Sequence, residues 1–404
     1  MAKKKSAKKG VKASPSTPST SVPNSNETLS LASARAALDA CNPTLARQTL
    51  LPLQATSTNA DVFELLGVIE MEEAAALHSE AFDVSQGDSI QLRIEQHSAS
   101  AEQFFRKAVE LNPERVAPST FLYLGQLSAD QEALTFYKHG ITGLDDEKQT
   151  LLDMDTPEDD PAITDLNAKI AAALCSMTEI YMTDCCDDPQ AEQNCTAFTQ
   201  QAIQLDPTSP EAYQTLASVL LSKCDPPAAT TAILTSLSLW SFTDANTWPA
   251  YPTRLATAKI LMEVDKDDEA ASVLETVLKE NDEDLEVWYL FSWCYYRMGG
   301  GSNCVDGGMD MEEEDGSKNV VDTEDKVEAF LDAKECLERL LELASKQQQD
   351  EIDPSMIQHA QEMLKEVSLV VSQHPDLVKS IEDAHQRGDP SMFQDVDDDM
   401  EMME

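Results

Sequence analysis

The chain has 404 residues, with 29 Lys and Arg against 74 Asp and Glu, which gives a formal net charge of −45 and a pI near 4.2. Such a surface is a poor match for nucleic acid or anionic membrane and a good one for a strongly basic protein. An apolar content of 42% is enough to bury a core, and no stretch approaches the roughly 20 apolar residues of a membrane span or the apolar centre of a signal peptide. A soluble intracellular protein is expected.

In chain order, residues 1–26 hold six lysines followed by a Ser/Thr/Pro-rich run, MAKKKSAKKGVKASPSTPSTSVPNSN, and cannot bury enough apolar surface to order themselves. The cluster Lys3, Lys4, Lys5, Lys8 and Lys9 has two readings. It is either a solvating charge run or an exposed nuclear import motif read by an import receptor. As the only basic block in an acidic chain it favours import, and the expected location is cytoplasm and nucleus.

From residue 27 to 371 the apolar residues recur at three- and four-residue spacings, which predicts helices. AEQFFRKAVELNPE (101–114), CTAFTQQAIQLDPTSPEAY (195–213) and EAASVLETVLKENDEDLEVW (269–288) share one pattern of small, bulky and turn residues. Each is followed by a second helix type: FLYLGQLS, EAYQTLASVLLS and LEVWYLFSWCYY. Tyr251 and Leu285 start units 34 residues apart, the period of the tetratricopeptide repeat, which the pattern resembles. Leu66-Gly67, Leu124-Gly125 and Leu216-Ala217 match its Leu-Gly pair. Ala101, Ala133, Ala229 and Ala270 match its small residue, and Pro113 and Pro207 its closing proline.

The predicted fold is therefore all-α, a tetratricopeptide-repeat superhelix (α-solenoid) of about seven helix pairs from residue 29 to 345 with a closing helix near 354–371. An irregular helical bundle is the alternative. Acidic insertions between helices are expected at about 144–161 and 299–325, and residues 372–404 form an acidic C-terminal tail.

Catalytic and metal constellations do not emerge. Adjacent Cys185 and Cys186, with Cys175 and Cys195, lack a second ligand pair or histidines at zinc spacing. Asp306, Asp310, Glu312, Glu314 and Asp315 sit in a glycine-rich stretch, but counted from Asp310 the sixth place is Asp315 and the twelfth Val321, so the calcium-loop template fails. The tri-glycine 299–301 is followed by no Lys-Ser/Thr and cradles no phosphate. No enzyme activity, metal or cofactor is expected, and a monomeric binding module is.

In tetratricopeptide proteins the first helix of each pair lines a concave groove. The family's groove positions, carried over residue by residue, fall on Asp61, Glu64, Glu72, Tyr123, Glu179, Met182, Glu211, Leu255, Lys259, Met262, Glu263, Glu286, Tyr289, Trp293 and Tyr296. These acids read either as a partner surface or as ordinary solvated positions. Co-chaperones of heat-shock proteins clamp a carboxylate with Lys, Arg and Asn; the ninth positions here are Val68, Gln126, Glu179, Ser218, Lys259 and Trp293, which cannot do so. A basic segment would instead meet carboxylates and rings.

The lysine-rich start, the interrupted units SPEAYQTLASVLLS and LEVWYLFSWCYYRMG, and the acidic end together resemble the fungal assembly chaperones of large-subunit ribosomal protein four. That resemblance implies capture of the newly made basic ribosomal protein through its internal loop, protection, and escort to the nucleus. A scaffold subunit of another nuclear complex that handles basic proteins is the alternative. The helix LEVWYLFSWCYYRMGG places six rings within nine positions. Trp288, Phe291 and Tyr295 share the packing face, while Tyr289, Trp293 and Tyr296 fall near the groove. This second trio is expected to form a docking surface or to be covered by the 299–325 insertion or the closing helix.

Overall fold

A computed structural model describes residues 25–80, 87–301, 323–346 and 352–385. The described residues form sixteen α-helices, one short 3-10 turn and no strand. By their contacts they divide into two compact units, Met1–Leu77 with Leu92–Val116 and His78–Gln91 with Ala117–Glu404.

The first unit contains α1 (Ser25–Asp39), α2 (Pro43–Gln54) and most of α3 (Ala60–Glu80) and α4 (Gly87–Leu111). The second holds α5 (Pro118–Leu127), α6 (Asp130–Asp153), α7 (Pro161–Met182), α8 (Ala191–Leu205), α9 (Pro210–Ser222) and α10 (Pro226–Ser238). It continues with α11 (Tyr251–Glu263), α12 (Asp267–Leu278), α13 (Leu285–Met298), α14 (Thr323–Lys346), α15 (Pro354–Gln373) and α16 (Pro375–His385). Each odd helix from α5 to α13 packs on the even helix that follows it. With α1/α2 and α3/α4, the seven expected pairs are present.

The helix boundaries follow from short-range chemistry. Asn42, Asp160, Ser209, Asp225 and Asp353 each accept a backbone N–H of the first turn, and a proline follows at the start of the helix, where its missing N–H costs nothing. Helix ends are marked by left-handed residues: Cys41 (φ 53°), Asp155 (φ 60°), Cys224 (φ 57°) and Asp265 (φ 57°). There the turn exposes carbonyls that the next N–H groups satisfy, as Asp225 N–H does for Leu220.

The small residues sit at the helix crossings. Ala101, Ala133, Ala229 and Ala270 are fully buried. A Cβ on Gly67 would come within 2.5 Å of the Phe105 ring, and one on Gly125 within 2.8 Å of Tyr137. In the second unit the first helices α7, α9, α11, α13 and α15 also touch in succession, so they form one layer and the second helices another.

Three boundaries differ from expectation. The stretch 144–161 is not an insertion between helices: α6 continues to Asp153, because Leu144 is buried and Leu151, two turns on, packs beside it against Leu166 and Ile170 of α7. Only residues 154–160 connect. The acidic tail also begins later than residue 372, since α16 buries Ile381. The tail expected over residues 1–26 ends two residues earlier, because Ser25 and Asn26 open α1; its residues 1–24, most of the 299–325 insertion and residues 386–404 lie outside the described residues.

Candidate partner-binding surface

In the first unit, Asp61, Glu64 and Glu72 lie on α3, the first two half-buried and Glu72 exposed. The same helix carries two acids that the groove pattern does not select. Glu70, 4% exposed, receives Arg47 Nη2 at 2.6 Å and sits 2.7 Å from His97 Nδ1, and Glu73 is paired to the same guanidinium. Arg47 comes from α2 and His97 from α4, so this network ties three helices together. Its ligand atoms cluster as a metal site's would, and the Arg47 nitrogen occupies the point on which they converge. The only sequence sign was Glu-x-x-Glu on an otherwise apolar face.

The second unit contains the remaining groove positions, on α5, α7, α9, α11 and α13. Tyr123 of α5 is half-buried. Glu179 on α7 and Glu211 on α9 are exposed to solvent, yet burial among neighbouring protein atoms pushes both carboxyls above the usual range, and Glu179 raises Glu211 further. Neither carboxylate has an ion pair or hydrogen bond among the described residues. Tyr137 and Cys175 share this electrostatic neighbourhood: burial first, then the two glutamates, raise the Tyr137 hydroxyl and push the Cys175 thiol up to about 12.

Further along the same layer, Lys259 of α11 donates to Glu286 of α13 at 2.7 Å, both exposed, while Glu263 is exposed. Leu255 is half-buried against the core. Thr257 donates to Gln214 at 3.1 Å, a tie between α9 and α11 that no groove pattern anticipated.

Several groove positions are closed. Met262 is buried, and its carbonyl accepts from Arg297 Nη1 at 2.9 Å. Met182 faces a cavity with Tyr181, Cys195 and Val219. The second ring trio is not an open docking surface. Tyr296, 3% exposed, donates to Glu366 of α15, and Tyr289 O–H lies 2.8 Å from His359 Nδ1. Trp293 stacks on Tyr296 and meets the His359 ring at 5.0 Å. The cause is succession: α15 takes the place of the next first helix, and rings that would face a groove pack against it. The first trio packs as expected, with Phe291 4.9 Å from Tyr295.

No family model matches the chain. It is 37% identical over 199 residues, 48% of its length and 56% of the relative's, to a protein of Schizosaccharomyces pombe named probable assembly chaperone of rpl4. A protein of the same name from Emericella nidulans is 38% identical over 109 residues, 26% of this chain and 28% of that one. The chain thus spans about half or less of the length of these curated relatives. A solved structure described as the assembly chaperone of RpL4 (Acl4), residues 1–338, superposes with a TM-score of 0.58 at 27% identity, over 68% of this chain and 96% of that one. In sequence and in helix arrangement, the chain is similar to fungal proteins named as assembly chaperones of a ribosomal protein.

Proposed function

We propose that this chain is a chaperone for a newly made basic protein of the large ribosomal subunit, the counterpart of rpl4, and that it holds the protein's internal loop against the first-helix layer. The observation that carries this reading is the pair Glu179 and Glu211: two partly desolvated carboxylates on neighbouring helices with no cation committed to them among the described residues. A Lys or Arg entering between them relieves their repulsion and replaces the water they lack. Glu263 and the Lys259–Glu286 pair continue the acidic path along α11 and α13. Binding lowers the concentration of the free ribosomal protein and so its aggregation.

On this reading the chain acts by binding, without catalysis, as a monomer. Lys3, Lys4, Lys5, Lys8 and Lys9 address the loaded complex to an import receptor, which places the protein in both cytoplasm and nucleus. Isothermal titration calorimetry of the purified rpl4-type protein against the chain and against Glu179→Lys with Glu211→Lys tests the reading. Loss of at least tenfold in affinity with an unchanged melting temperature is expected, and full affinity in the variant would remove the site from this layer.

A further inference from the structure

Between α12 and α14, with α13 beneath, lies a cavity of about 440 Å³, inside the roughly 300–1,000 Å³ range of sites that enclose small ligands. Its floor is Leu278, Trp288, Phe291 and Cys336. The rings are fixed before anything arrives. The Trp288 indole N–H donates to the Asp282 carbonyl at 2.7 Å, and Phe291 meets Trp288 edge-on with centroids 6.3 Å apart. A preorganised apolar floor binds without an ordering cost. This cavity is walled by second helices, whereas Glu179 and Glu211 lie on first helices.

The rim decides what chemistry fits. Its two cations are already engaged: Lys279 with Glu275 at 3.2 Å, and Arg339 with Glu342 at 3.5 Å and Asp282 at 3.8 Å. Glu335, exposed on the rim, has no ion pair among the described residues. The uncommitted rim charge is therefore negative, in a chain of net charge −45. Residues 389–404 of the chain itself carry seven acids and no base, so that segment is repelled. A basic segment with an apolar anchor is attracted.

We propose that this cavity is a second docking site, taking one aromatic or branched aliphatic side chain from a basic segment of the partner protein. The inference rests on the reading of the chain as a chaperone of a basic ribosomal protein, and it makes that capture two-handed. Two modest contacts on one partner multiply through effective concentration, which suits a chaperone that must hold a long basic protein and later release it.

The test is calorimetric titration of the full chain with the purified rpl4-type protein, using Glu335→Lys to reverse the rim and Cys336→Phe to fill the floor, with melting curves for each. Each variant is expected to weaken binding on the order of tenfold, as loss of an interface anchor does. If Glu179→Lys with Glu211→Lys weakens binding while Glu335→Lys and Cys336→Phe bind as the wild type does, the cavity is not a docking site and the chaperone reading stands. Weakening by Glu335→Lys with a folded Cys336→Phe at full affinity overturns the apolar anchor. Should Cys336→Phe fail to fold, Glu335→Lys decides alone. Absence of binding to the wild type removes both readings.

Discussion

Gly125 shows how a single missing carbon sets the distance between two helices. The Tyr137 ring of α6 lies where its Cβ would be, 2.8 Å away, and Tyr137 is itself buried, 4% exposed. It cannot rotate out without emptying the site between α5 and α7. Gly125→Ala therefore overpacks the crossing. A cost of about 1–3 kcal/mol is expected, read as a fall of several degrees in the melting temperature. An unchanged melting temperature would mean that α5 slides to accommodate the methyl, and that the Leu-Gly pair is not what fixes the spacing. The same logic made Leu66-Gly67 and Leu124-Gly125 visible in the sequence: close approach leaves a residue type behind, and residue types are legible. The Arg47–Glu70–Glu73–His97 network left only the faint trace of Glu70 and Glu73 three residues apart. Its members are 50 residues apart at the extremes, and nothing local distinguishes Glu70, which the fold buries, from Glu72, which it exposes.

At the scale of the element, periodicity showed where helices lie and composition misjudged two of them. LDDEKQTLLD reads as an acidic break because five of its ten residues are charged. Yet Leu144 and Leu151 fall two turns apart on one face, and that stripe keeps α6 helical to Asp153. Burial of two leucines outweighed a run of solvated acids, which cost a helix little. The ring-rich α13 was legible only in part. Sequence spacing divides its rings into two faces, but which neighbour covers the second face depends on α15, more than 50 residues away.

The structure places Ala360 of α15, fully buried, in the core cluster that also holds Trp288 and Phe291. Ala360→Glu should therefore lift α15 from α13 and expose Tyr289, Trp293 and Tyr296. Increased binding of an apolar dye, with a lowered melting temperature and retained helix content, is the expected result. A variant that binds no more dye than the wild type would show that the trio is covered by something other than α15.

Over the whole molecule, charge gives binding a dependence on pH as well as on salt. The carboxyls of Glu179 and Glu211 are raised above the ordinary glutamate range by burial, and Glu211 additionally by its neighbour. In the unbound protein the protonated form is thus favoured by folding. These two groups add stability as pH falls through their raised values and lose it as pH rises towards neutrality. A cationic partner reverses the balance, because it favours the charged form and pulls both values down. Between the ordinary glutamate value and the raised one, binding must then expel protons, and affinity must rise with pH. Calorimetry with the rpl4-type protein in two buffers of different ionisation enthalpy measures that release directly. Wild type should release up to two protons per complex in this window, whereas Glu179→Gln with Glu211→Gln, which cannot titrate, should release fewer and show a flatter pH profile. Equal release by both would place the basic segment elsewhere on the acidic surface, even if added salt weakened both complexes alike.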